Sequence, residues 1–210
     1  MLGVRQTACN DIVQIELGIS NAKSYLRDAQ AKFINKITNR QSNTPVECAI
    51  KLAIEAKTNS SKMLTTLINS PSSFASQNLA TVKQRVINAT TTKRREYLNI
   101  NPHLQQSEVY QDFSISEHHR VSYSRIRQGS HRLKIETGRW ARIQRENRIC
   151  PCGNEVQNEE HVLLRCPRTN HLRTNINNID TCANLNEFFT KIEPPILTKF
   201  VYDVLKISEI

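Results

Sequence analysis

Three cysteines and a histidine fall close together in this chain, as Cys150-x-Cys152-x8-His161-x4-Cys166. Thiolate and imidazole are the donors that zinc takes in a tetrahedron, and an all-sulfur-and-nitrogen set favours zinc over magnesium, calcium or manganese. Four protein ligands leave no open position for water or substrate. The chemistry expected here is therefore structural Zn2+, a pin for a small fold rather than a catalyst. The gap between Cys150 and Cys152 is tighter than the commoner two- to four-residue spacer. His171 or Cys182 is the alternative donor for one position.

Local sequence predicts how the ligands are held. Pro151 stiffens the turn between the first two thiols, and Gly153 relieves crowding just after them. Asn158 is placed to cap a short helix whose first turn carries Glu159 and Glu160, the signs the helix dipole prefers. His161 projects from that helix. Pro167 disfavours helical backbone at Cys166, so the last thiol should sit where the chain folds back. Leu163 and Leu164 are expected beneath the metal. The scattered Cys9, Cys48 and Cys182 read as small buried hydrophobes.

Directly before the cluster lies the densest positive stretch: Arg120, Arg125, Arg127, Arg132, Lys134, Arg139, Arg142, Arg145 and Arg148, with His118, His119 and His131 among them. Arginine predominates over lysine, and it binds phosphate in bidentate fashion and stacks on bases. Together with a net charge of +10, this points to RNA or DNA as partner through Arg120, Arg125, Arg127, His131, Arg132, Lys134, Arg139, Arg142, Arg145 and Arg148. Arg125, Arg132 and Arg139 would form one stripe if a single helix ran that far. Trp140 reads as a core anchor. No nucleophile–base pair, Asp-Asp pair or complete Walker motif is present, so neither an enzyme nor a small-molecule substrate is expected. No apolar run nears the roughly 20 residues that span a bilayer, and the first residues lack signal-peptide grammar. An intracellular protein, nuclear or cytoplasmic and without a membrane partner, is expected.

The elements that must carry these residues are helices. Apolar residues recur at helical spacing in SNAKSYLRDAQAKFINKI, through Tyr25, Ala29, Phe33 and Ile37 with Leu26 and Ile34 beside them, capped by Ser20 or Asn21. PVECAIKLAIEAKT starts on Pro45, and TNSSKMLTTLINSP closes at Pro71. ASQNLATVKQRVINATTTKRREYL reads as one long helix broken at Asn101–Pro102, and SISEHHRVSYSRIRQGSHRLKIE as another ending near Gly138. Short helices follow in TNHLRTNINNI and NLNEFFTKI, and PPILTKFVYDVLKISEI makes a last amphipathic one. The fold expected is mainly α, a helical bundle or linker followed by a small CCHC zinc knuckle, with little β structure. Three regions are expected: 1–112 helical, 113–149 basic helix and connector, 150–210 knuckle with C-terminal helices. The joint is expected near Asn69–Gln77.

The run RIRQGSHRLKIETGRWARIQRENRICPCGNEVQNEEHVLLRCP resembles the segment that follows the polymerase in non-LTR (LINE-type) retrotransposon reverse-transcriptase proteins. There a basic R-x-R-x-G-x-H-x-L helix leads into a knuckle ending E-H-x-L-x-x-C-P. MLGVRQTACNDIVQIELGI is similar to the helix after the reverse-transcriptase thumb, and ILTKFVYDVLKI resembles the end of such reading frames. The resemblance implies zinc at Cys150, Cys152, His161 and Cys166. It also implies nucleic-acid contact around Arg125, Arg127, His131 and Arg139, and the parent polymerase domain as a further partner. It implies a non-catalytic piece of such a protein, without polymerase or endonuclease. A zinc-stabilised protein-interaction module, with Phe200, Val201, Val204 and Leu205 as contact surface, is the alternative; a non-functional retroelement remnant is another.

Overall fold

The computed structural model describes residues 9–39, 44–56, 58–69 and 73–209. Eleven α-helices are described: α1 Asn10–Leu17, α2 Ala22–Thr38, α3 Pro45–Glu55, α4 Asn59–Ile68, α5 Phe74–Ile87, α6 Thr92–Ile100, α7 Glu117–Arg127, α8 Lys134–Trp140, α9 Asn170–Arg173, α10 Leu185–Lys191 and α11 Pro194–Ser208. Among the described residues the only β pairing is a single antiparallel bridge, Ile149 with Val156. The mainly helical expectation holds. Among the described residues, no helix is long and apolar enough to cross a membrane.

Helix starts follow their caps. Asn21 accepts from the Ser24 amide, Thr44 from Glu47 ahead of Pro45, and Thr58 from Ser61. Pro71, expected to close α4, lies outside the described residues. Two expected long helices are each broken. Residues 88–91, Asn-Ala-Thr-Thr, separate α5 from α6, because β-branched and turn-forming side chains are poor helix interior there. The basic helix ends at Arg127, since Gly129 turns to a φ of +58° and α8 starts only at Lys134. Arg125, Arg132 and Arg139 therefore share no helical stripe.

The chain forms two compact units. One comprises residues 1–17 with 86–210, the other Gly18–Arg85. These do not follow breaks at 112 and 149. The basic segment, the cysteine cluster and the last helices pack with α1 as one body. Its core is built on α7 and α11. Along α11, Leu197, Phe200, Val201, Val204 and Leu205 are all buried, at about 1.5–3 kcal/mol for each side chain removed from water. This corrects their assignment to an exposed contact surface. Phe188 meets Phe200 at 5.7 Å and Phe189 meets Tyr123 at 5.7 Å, tying α10 to both helices. The smaller unit holds α2, α3, α4 and most of α5, and few of its side chains are fully buried.

Candidate metal centre

A short hairpin from Arg148 to Gln157 carries the first two cysteines. Its ends are joined by Gln157 N–H to Arg148 O at 2.9 Å and Cys150 N–H to Glu155 O at 2.8 Å. At the tip, Gly153 N–H donates to Cys150 O at 2.8 Å, and this tight turn brings both thiols to one side despite the single intervening residue. Gly153 has a φ of +82°, and a side chain there would meet nothing within 4 Å. Its role is thus backbone conformation, not the relief of crowding.

The second pair comes from the turn that follows. Asn158 accepts from the His161 amide at 2.8 Å, the cap its sequence predicts. From His161 to Arg165 the helix widens to a π turn, closed by Cys166 N–H to His161 O at 2.7 Å. Cys166 then takes extended backbone, φ −61° and ψ 127°, as the following Pro167 requires. Leu163 is fully buried and Leu164 partly so, both against the core.

Donor atoms of Cys150, Cys152, His161 and Cys166 all lie within 4.8 Å of one another, so the cluster can hold a metal ion. Cys150 Sγ and Cys166 Sγ are 3.8 Å apart, and Cys152 Sγ is 3.2 Å from His161 Nε2. Burial pushes the Cys150 thiol up to about 12. Burial also opposes ionisation of Cys152, but the amides of Asn154 and Glu155 and the Cys150 thiol outweigh it and hold its pKa below the usual thiol value. Burial lowers the His161 pKa, with the Glu155 carboxylate pulling the other way, so the imidazole is neutral and ligand-ready at neutral pH. His171 and Cys182 lie outside the cluster.

No family model, curated protein or solved structure matches this chain.

Around the four donors stands a shell that spacing alone does not reveal. Glu155 Oε2 lies 3.4 Å from His161 Nδ1 and accepts from Arg165 at 3.1 Å. His161 Nδ1 is buried and makes no hydrogen bond in the structure, and Glu155 is the carboxylate placed to orient it when the ring ligates. Arg173, buried, donates to the Cys166 carbonyl at 2.6 Å, and Thr169 Oγ1 donates to the same oxygen. Gln157 receives the Lys134 amide and donates to Ser208 O, joining hairpin, α8 and α11. The one signal available in sequence was Glu155, a carboxylate three residues past Cys152.

The basic residues meet different fates. Arg127 is buried against Glu16, and His131 is buried against Glu159 at 2.8 Å. Both are internal, so neither reaches a nucleic acid from its place here. Arg148 spends its guanidinium on the carbonyls of Ile135 and Ile143. Arg139 pairs with Glu136 and Glu96, and Arg145 with Glu96. Arg120 donates to the Asp112 carbonyl and lies over Phe113. Arg125 is half-buried, while Arg132, Lys134 and Arg142 are exposed, Lys134 reaching the Ile149 carbonyl. Trp140 is 46% exposed, not a core anchor. Cys9 and Cys182 are half-buried and Cys48 exposed, so none of the scattered cysteines is a buried hydrophobe.

Proposed function

We propose that this chain is a zinc-stabilised, non-catalytic nucleic-acid-binding module, similar to the post-polymerase region of non-LTR retrotransposon reverse-transcriptase proteins. The observation that carries the zinc assignment is the geometry of the four donors. Zinc–thiolate bonds of about 2.3 Å at tetrahedral angles put two sulfurs about 3.8 Å apart, and Cys150 and Cys166 stand at 3.8 Å. The donor set suits zinc by chemistry as well, with an outer carboxylate on the histidine. Bound there, zinc supplies cross-linking: it holds the hairpin against the π turn and leaves no coordination position for a reactant.

Nucleic-acid contact rests on a narrower set than sequence suggests. Arg132, Lys134, Arg142 and Arg145 are the solvent-facing cations of the segment, and phosphate contact through them would make affinity fall with salt. Two measurements test the reading. Zinc content of the wild type should approach one ion per chain, and a Cys152→Ser, His161→Ala double variant should hold none; equal metal in both sinks the knuckle. Oligonucleotide affinity should drop steeply between low and moderate salt. A flat curve sinks the nucleic-acid partner.

A further inference from the structure

The arginine-rich segment is not the sole source of positive charge. Residues 18–85 carry ten basic and three acidic side chains, so this small unit supplies seven of the ten net charges. Its longest helix, α2, turns its main apolar stripe outward. Tyr25, Leu26 and Phe33 are 48%, 65% and 61% exposed, while Ile34, about 100° round the helix from Phe33, is buried. Lys23, Arg27, Lys32 and Lys36 are exposed along the same helix. Its one acidic residue, Asp28, is taken up by the start of α5, accepting from Ser73 Oγ and from the amides of Phe74 and Ala75. The outward face of α2 thus holds two aromatic rings beside Lys32 and Lys36, with Asp28, next to Lys32, hydrogen-bonded to the start of α5.

We propose that this face binds single-stranded nucleic acid, with Lys32 and Lys36 on phosphates and Tyr25 and Phe33 stacked on bases. Charge complementarity selects a polyanion. The exposed rings select a strand whose bases are free, because stacking on aromatic side chains needs an unpaired base face. Tyr25 and Phe33 lie on one side of the helix, separated by eight residues or about 12 Å along its axis. A bilayer surface would suit an uninterrupted apolar face, whereas Lys32 and Lys36 flank the rings here. This surface shares no residue with the metal centre.

The test uses the full chain and a fluorescein-labelled oligothymidylate 20-mer, read by anisotropy over a salt series, with a duplex of equal length beside it. Circular dichroism confirms unchanged helicity in each variant. Lys32→Gln with Lys36→Gln should weaken single-strand binding at least fivefold and reduce the salt slope by about 1.4, at about 0.7 per lost phosphate contact. Tyr25→Ala with Phe33→Ala should weaken it about tenfold, leaving the salt slope and duplex binding unchanged. Arg132→Gln with Arg142→Gln reports on the other surface; loss there alone keeps the proposed function and overturns this one. Wild-type affinity in both α2 pairs overturns the proposal. So does loss in the lysine pair alone, or binding of phosphatidylserine vesicles without binding of the oligonucleotide.

Discussion

Arg127 on α7 grips Glu16 on α1 through two hydrogen bonds, Nε to Oε2 at 2.8 Å and Nη2 to Oε1 at 2.7 Å. Tyr97 and Tyr110 add their hydroxyls to the same carboxylate at 2.7 and 3.0 Å. The guanidinium lies over the rings of Tyr123 and Phe189. One buried ion pair thereby joins the first helix of the larger unit to its central one, across 111 residues of chain.

Removing one partner leaves the other charged and buried, a loss that usually amounts to about 3–5 kcal/mol. Arg127→Ala and Glu16→Ala should each lower stability by that order in urea unfolding. Replacing both together, by Met and Leu, should recover part of the loss: the uncompensated charge is gone, but the Tyr97 and Tyr110 hydroxyls lose their acceptor. Additive losses in the double variant would contradict the pairing.

Asp28 gives a pH dependence to the smaller unit. The Ser73 hydroxyl, with the Phe74 and Ala75 amides, holds its carboxyl below the usual carboxylate range despite some desolvation. For a depressed carboxylate the stabilisation is present above the unfolded pKa, near 4, and is lost as pH falls through the lower folded value. The protection of the Phe74 and Ala75 amides, taken relative to their intrinsic exchange rates, should therefore fall below about pH 4. Asp28→Asn should remove that dependence while slowing nothing else. Unchanged protection of both amides in acid would refute it.

Local grammar was legible where neighbours alone decide. Asn21, one of the two caps expected for α2, and Asn158 cap as expected, Pro167 sets the backbone of Cys166, and the four ligands converge. What sequence conceals is the partner supplied from far away. An arginine bound for phosphate and one bound for Glu16 look alike until α1 is folded onto α7. The same holds for α2, whose period reveals an apolar stripe but not that the stripe faces solvent. Nor does an apolar run at Phe200–Leu205 announce whether it is core or docking surface; packing against α7 and α10 decides.

Gly129 is the hinge that splits the expected basic helix. Its φ of +58° lies in the left-handed region, and a Cβ there would stand 3.4 Å from Lys93 Cε and 3.5 Å from Glu136 Oε1. The space is ordinary, so the cost of Gly129→Ala comes from the backbone, about 1–2 kcal/mol. Thermal unfolding should show that loss. Gly129→Asn, which tolerates this conformation better, should lose less. Equal losses would place the cost in contact rather than in φ.

The metal centre should release protons as it fills. Without metal, burial holds the Cys150 thiol up to about 12, so at neutral pH it is protonated, whereas the lowered His161 is already neutral. A ligating thiol must be deprotonated, so binding has to displace at least the Cys150 proton. Each displaced proton raises apparent affinity about tenfold per pH unit while pH stays below the thiol pKa. Zinc affinity of the stripped protein, measured by competition with a chromophoric chelator, should climb at least tenfold from pH 6.5 to about 7.5. Calorimetry in buffers of different ionisation enthalpy should report one or more protons released per ion. Cys150→Ser should reduce that number as well as the affinity. Binding with no proton release would mean that Cys150 is not a ligand, and the hairpin tip would then hold metal, if at all, through Cys152 alone.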